Sequence, residues 1–143
     1  MELEIKTFDE LSGREVHEIM RVRCAVFVVE QKCPYQDVDS ADFDALHVFL
    51  REGEEICAYL RIFEKDENTA RIGKVLTMRR GEGLGGRLLS AGIEAVRKRT
   101  DKKEIYIEAQ THAIGFYARE GFIICSEEFL EDGIPHVQMR RKV

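Results

Sequence analysis

The chain has 143 residues, the length of one domain and enough to bury a core. Hydrophobic residues make up 44% and charged residues 34%, a mixture that excludes a disordered chain. The formal charge of −5 disfavours general nucleic-acid binding, and no stretch approaches the roughly 20 apolar residues of a membrane span.

Met1-Glu2-Leu3-Glu4 has neither the basic nor the apolar region of a signal peptide, so a cytoplasmic protein is expected. Leu3, Ile5 and Phe8 predict a first strand. Ser12-Gly13-Arg14-Glu15 then reads as a capping box, and Val16, Ile19, Met20, Cys24, Phe27 and Val28 recur at helical spacing behind it. Pro34 ends that element. Gln36 to Asp44 is an acidic loop with four aspartates. Residues 47–51 and 57–64 predict two strands joined by the hairpin turn Glu52-Gly53-Glu54-Glu55. Residues 71–77 follow as a third, so the first half is antiparallel.

Beyond Gly86 the period changes. Leu84, Leu88, Leu89, Ile93 and Val96 mark a helix to about Lys98, and residues 104–109 form a strand parallel to the one before the glycines. Residues 113–120 read as a short helix with Gly121 as its C-cap. Residues 122–126 and 136–140 read as closing strands. The expected fold is α/β, one domain over 1–143 with a mixed central sheet. Cys24, Cys33, Cys57 and Cys125 fall in no paired spacing and are expected as reduced thiols. Asp37, Asp39 and Asp42 fail the calcium-loop pattern, and no metal is expected.

The chemistry concentrates in Arg79-Arg80-Gly81-Glu82-Gly83-Leu84-Gly85-Gly86, where bare backbone N–H groups and a positive helix end converge on one point. Such a turn holds an anion, most simply a phosphate. Gly81 to Gly86 also fits G-x-G-x-x-G, with Glu108 at the spacing of a ribose-binding acid, and that reading implies a nucleotide-dependent oxidoreductase. Against it, half the chain precedes the motif. The P-loop pattern fails, because Arg87-Leu88 follows Gly86.

Arg80-Gly81-Glu82-Gly83-Leu84-Gly85 resembles the Q/R-x-x-G-x-G signature of the GNAT superfamily of N-acetyltransferases. Residues 110–122, from Gln110 through Phe116-Tyr117 to Gly121-Phe122, resemble its second signature, N-x-x-A-x-x-F-Y-x-x-x-G-F, with Gln110 in place of asparagine. Residues 23–31 and 131–136 are similar to the ElaA subgroup. The resemblance implies a mixed sheet with an antiparallel N-terminal half, a splayed parallel strand pair around acetyl-CoA, and flanking helices. It also implies direct attack of a primary amine on the acetyl carbonyl. Arg80, Gly81, Glu82, Gly83, Leu84, Gly85 and Gly86 would then hold the pyrophosphate. A backbone N–H of Val75, Leu76 or Thr77 would polarise the thioester, Gln110 would contact the cofactor, and Tyr117 would be the general acid.

From spacing alone, Tyr117 serves equally as a core aromatic beside Phe116 and Phe122. His47, Glu108, His112 and His136 are alternative bases, each with a structural role open to it. Glu30, Gln31, Tyr35, Asp37, Asp39 and Asp42 lie where superfamily members cover the acceptor, and Glu131, Asp132 and His136 can approach the same cleft. Such acids would attract a cationic amine or form a solvated loop, and Arg23 can pair internally with an acid such as Glu30. The acceptor could be a small amine, an antibiotic-like molecule, a peptide N-terminus or a lysine. A non-catalytic acyl-CoA sensor keeps the same fold. The last strand offers an edge for a homodimer.

Overall fold

The computed structural model describes residues 1–143, folded around one eight-stranded mixed sheet. Its strands are β1 (Glu2–Thr7), β2 (Leu46–Glu52), β3 (Glu55–Glu64), β4 (Thr69–Thr77), β5 (Glu104–Gln110), β6 (Ile123–Ile124), β7 (Phe129–Glu131) and β8 (Ile134–Lys142). The order is β1-β2-β3-β4-β5-β8-β6, with β7 paired to β8 alone. β1 through β4 are antiparallel, and β4 with β5 is the parallel pair.

Helices cover both faces. α1 (Gly13–Arg23) starts at the expected capping box: the Ser12 hydroxyl accepts from the Glu15 N–H while the Glu15 carboxylate accepts from the Ser12 N–H. α2 (Leu84–Arg99) lies on the other face and α3 (Ile114–Arg119) follows β5. Alternation along β2 and β3 divides their side chains between two cores. Val48, Leu50, Leu60 and Ile62 join Leu88, Leu89, Ile93 and Val96 of α2, whereas Phe49, Ile56 and Tyr59 join Ile19 and Val22 of α1. Gly92 lets α2 sit down on β3, since a Cβ there would stand 2.9 Å from Leu60 Cδ2.

Four expectations change. The first helix does not run regularly to Phe27 and Val28: Cys24–Glu30 is a π-helical segment. The closing segment holds an additional strand, β7, paired to β8 through a turn in which Asp132 and Gly133 are left-handed, at φ 51° and 77°. β8 is not an edge, because β5 and β6 flank it. And a dinucleotide fold needs several adjacent parallel strands, whereas this sheet has one parallel pair. No helix is long and apolar enough to cross a membrane.

Candidate active site

β4 and β5 pair over Thr69↔Glu104, Ala70↔Ile105 and Arg71↔Tyr106, then part. The parting has a local cause in β4. Gly73 faces Arg61 of β3 and Leu76 faces Tyr59, so Lys74 and Val75 together oppose the single residue Leu60. Lys74 takes φ 54° within this bulge, and the strand bends away from β5. A cleft of about 580 Å³ fills the gap. Val75, Leu76 and Thr77 form one wall, Ile107, Glu108 and Gln110 the other, and the segment after α1 and the β7–β8 turn close the sides. Those sides meet where the Cys33 thiol contacts the Asp132 carbonyl at 3.7 Å.

The glycine loop follows Arg80, which lines the cleft. Gly81 and Gly83 have φ of 81° and 71°, the left-handed region that favours glycine, and Gly83 is the residue before α2. A Cβ built on Gly81, Gly83 or Gly86 meets nothing within 4 Å, so the space over the helix N-terminus is open to a ligand. Gly85 serves packing instead, because a Cβ there would come within 3.3 Å of the Phe116 ring, and its absence brings α2 against α3. The open cradle fits the pyrophosphate of a coenzyme A. The adjacent arginines take different partners. Arg80, largely exposed, pairs with Glu30 of the π-helical segment, while Arg79 turns to Glu52 and Glu55 of the β2–β3 hairpin, at 3.3 and 3.7 Å.

Tyr117 of α3 lines the cleft with its ring edge-on to Phe116 and Phe122. Its hydroxyl makes no hydrogen bond within the protein, so the backbone-satisfied structural role does not describe it. Burial pushes its pKa up to about 12. Across the mouth, Gln110 Nε2 donates to Gln31 Oε1 at 3.2 Å, and Gln110 Oε1 accepts from His112 Nε2 at 2.8 Å. An amide oxygen only accepts, so His112 carries its proton on Nε2.

Deeper in, Glu108 accepts from the Tyr106 hydroxyl at 2.6 Å and pairs with Arg71 at 3.2 Å. His136 donates from Nδ1 to the Ile134 carbonyl at 2.7 Å, and its Nε2 stands 3.6 Å from Glu131. Partial burial, with the side chain still 45% exposed, and then the neighbouring Glu108 raise the Glu131 pKa.

The cleft thus gathers Gln31, Val75, Leu76, Thr77, Arg80, Glu108, Gln110, His112, Tyr117, Asp132 and His136. Glu30 lies just outside, held by Arg80. His47 is elsewhere and cannot act as the base. It is 1% exposed, with Nδ1 bonded to the Tyr59 hydroxyl at 2.7 Å and Nε2 to the Asp42 carbonyl at 2.9 Å.

The acidic loop is also corrected. Asp37 and Asp42 are buried rather than offered to a substrate: Arg23 binds Asp37 at 3.0 Å and Asp42 at 2.6 Å, Lys74 binds Asp37 at 2.8 Å, and Arg61 reaches Asp42 at 2.9 Å. Arg23 therefore pairs with these two acids and not with Glu30. Asp39 stays at the rim, gripped through both oxygens by Arg61. Sequence reasoning missed Arg71 and Lys74 as cleft residues. Their signal was two basic residues inside an otherwise apolar strand leading into the glycine loop.

Comparison with known proteins agrees with this geometry. A family model described as an acetyltransferase (GNAT) domain matches residues 10–143. Protein ElaA of Escherichia coli is 41% identical over 140 residues, covering 94% of this chain and 92% of the relative. The crystal structure of Escherichia coli ElaA superposes with a TM-score of 0.90, at 39% identity over 98% of each chain. An acyl-CoA N-acyltransferase from Pseudomonas aeruginosa also gives a TM-score of 0.90, at 36% identity over 99% of each chain. With its splayed parallel pair, glycine cradle and matching relatives, the chain belongs to the GNAT acetyltransferase family, as an ElaA-like member.

Proposed function

We propose that residues 1–143 act as a single N-acetyltransferase domain that moves the acetyl group of acetyl-CoA to a primary amine by direct attack. One observation carries this reading: the cleft between the parted strands reaches from Arg80, beside the open glycine turn at the α2 N-terminus, to a partnerless Tyr117 hydroxyl. When bound, acetyl-CoA supplies an activated thioester.

The chain's residues do the rest. Backbone N–H groups from Gly81 to Gly86 and the α2 N-terminus hold the pyrophosphate, and Arg80 exchanges Glu30 for a phosphate oxygen. A backbone N–H in Val75–Thr77 donates to the carbonyl oxygen as charge develops there. Gln110 and Gln31 close the mouth over the pantetheine arm. The Tyr117 hydroxyl gives its proton to the departing sulfur. With its pKa raised to about 12, that proton is in place throughout the neutral range.

The amine's proton passes to His136 Nε2. Of the other bases considered, Glu108 is engaged by Tyr106 and Arg71, and His112 is exposed and tied to Gln110 at the mouth, whereas His136 is buried. Calorimetric titration with acetyl-CoA, coenzyme A and NADPH tests the reading. Micromolar binding of both coenzyme A species without NADPH is expected, and failure of both to bind would refute it. Binding without turnover on any amine would make the protein an acyl-CoA sensor.

A further inference from the structure

The cleft holds more charge than the thioester chemistry uses. Arg61, Arg71 and Lys74 line it together with Asp39, Glu108 and Glu131. Most of these groups are engaged by protein partners. Arg61 grips Asp39 at 2.6 and 2.9 Å and Asp42 at 2.9 Å, and Lys74 donates to Asp37 at 2.8 Å and to the Tyr35 hydroxyl at 3.0 Å.

Two groups keep unused capacity. The Arg71 guanidinium makes no hydrogen bond: its one polar contact is the ion pair with Glu108 at 3.2 Å, and it lies 5.7 and 6.0 Å from the ring centres of Tyr106 and Phe63. Glu131 takes no hydrogen bond from a nitrogen donor, and the carboxyl it meets is that of Glu108. Its polar neighbours are Glu108 and, at 3.6 Å, His136 Nε2. A guanidinium flanked by aromatic rings presents a planar fork that matches a carboxylate. Two adjacent carboxyl groups suit an ammonium placed between them.

We propose that the acceptor is a small zwitterionic amine, an α-amino acid or close analogue, with its carboxylate on Arg71 and its ammonium at Glu131 and Glu108. The assignment rests on the acyl-transfer reading above. In an α-amino acid one carbon separates the two charged groups, so their sites must adjoin, as Arg71 and Glu131 do through Glu108. A polyamine would bring a second cation against Arg71 and Lys74. A peptide N-terminus has an amide where Arg71 expects a carboxylate. In the reaction the ammonium gives one proton to His136, and its nitrogen bonds the acetyl carbon as the C–S bond breaks. The C–S electron pair leaves with sulfur, which takes the Tyr117 proton, and the second amine proton passes to the resulting phenolate. The products are the N-acetylamino acid and coenzyme A thiol.

The test supplies acetyl-CoA and the twenty protein amino acids, each beside its amide and its decarboxylated amine, and measures acetylated product by mass spectrometry. At least one amino acid is expected to exceed both of its analogues in kcat/KM by roughly a hundredfold. Arg71→Gln should raise the KM for that amino acid by about 30-fold or more with a smaller change in kcat, and should bring the analogues within about threefold of it. Arg71→Lys, which keeps the charge and loses the fork, should fall between and guards against a folding defect. Amides or decarboxylated amines acetylated as well as the amino acids would overturn the inference. So would equal losses on all three compounds in Arg71→Gln. Calorimetry with coenzyme A on the same preparations separates the two failures: coenzyme A binding without acetylation of any amino acid overturns the acceptor class, and absence of coenzyme A binding overturns the acyl-transfer reading.

Discussion

Arg23→Met removes the centre of the buried ion network while keeping most of the side chain's volume. Arg23 is 0% exposed and bonds Asp37 Oδ2 at 3.0 Å, the Asp37 carbonyl at 2.9 Å and Asp42 Oδ1 at 2.6 Å. Stripping one partner from a buried pair costs about 3–5 kcal/mol, because the remaining charge stays desolvated. Here Lys74 still faces Asp37 and Arg61 still faces Asp42, so the lower end applies, about 3 kcal/mol. With a urea slope of about 2 kcal/mol/M, the midpoint should fall by about 1.5 M.

The pH dependence carries a second signature. Burial pushes the Asp37 carboxyl up, but Lys74, Tyr35 and Arg23 outweigh it and hold the group below the usual carboxylate range. A depressed carboxyl contributes stability above its unfolded pKa of about 3.9 and loses it as pH falls through the folded value. Without Arg23 the depression shrinks. The gap between variant and wild type should therefore be constant above about pH 5 and narrow below about pH 4. Urea unfolding followed by circular dichroism at pH 7, 5, 4 and 3.5 measures both. A midpoint shift under about 0.5 M at pH 7, or a gap that widens in acid, would refute the reasoning.

Gly92→Ala sets a methyl 2.9 Å from Leu60 Cδ2 under α2 and should destabilise by about 1–3 kcal/mol despite alanine's better helix propensity, read from the same urea curves. Arg80→Ala should weaken coenzyme A binding by about tenfold in calorimetry, with stability nearly unchanged because the Arg80–Glu30 pair is exposed. Tyr117→Phe should lower kcat by roughly 10–100-fold with coenzyme A affinity within about twofold of wild type, and equal turnover would remove the proposed acid.

Local signals read correctly from the sequence, and distant pairings did not. Ser12 and Glu15 cap α1 because both partners lie within one turn, and the glycine loop announces the strand, turn and helix around it because φ above zero is a single-residue requirement. The acidic loop was opaque for the opposite reason. Whether Asp37 and Asp42 meet solvent or cations depends on Arg23, Arg61 and Lys74, which come from α1, β3 and β4 and converge only in the folded chain. His47 misled similarly, since its partners are Tyr59, across the hairpin, and a backbone carbonyl. Arg79 and Arg80 were indistinguishable as neighbours, and the turn after β4 sends one to the β2–β3 hairpin and the other to the π-helical segment. β7 has three residues, too few to show an alternation.

β8 also has a consequence for how the protein is made. It is the last strand in chain order, yet it supplies the partner for β5 over seven register positions and the sole partner for both β6 and β7. As the polypeptide leaves the ribosome, β1 to β4 can close their hairpins in sequence, but the outward edge of β5 stays bare until Ile134–Lys142 emerges. The half of the sheet that holds the cleft therefore matures only once β8 has been made, and until then the nascent chain most needs shielding from other exposed edges.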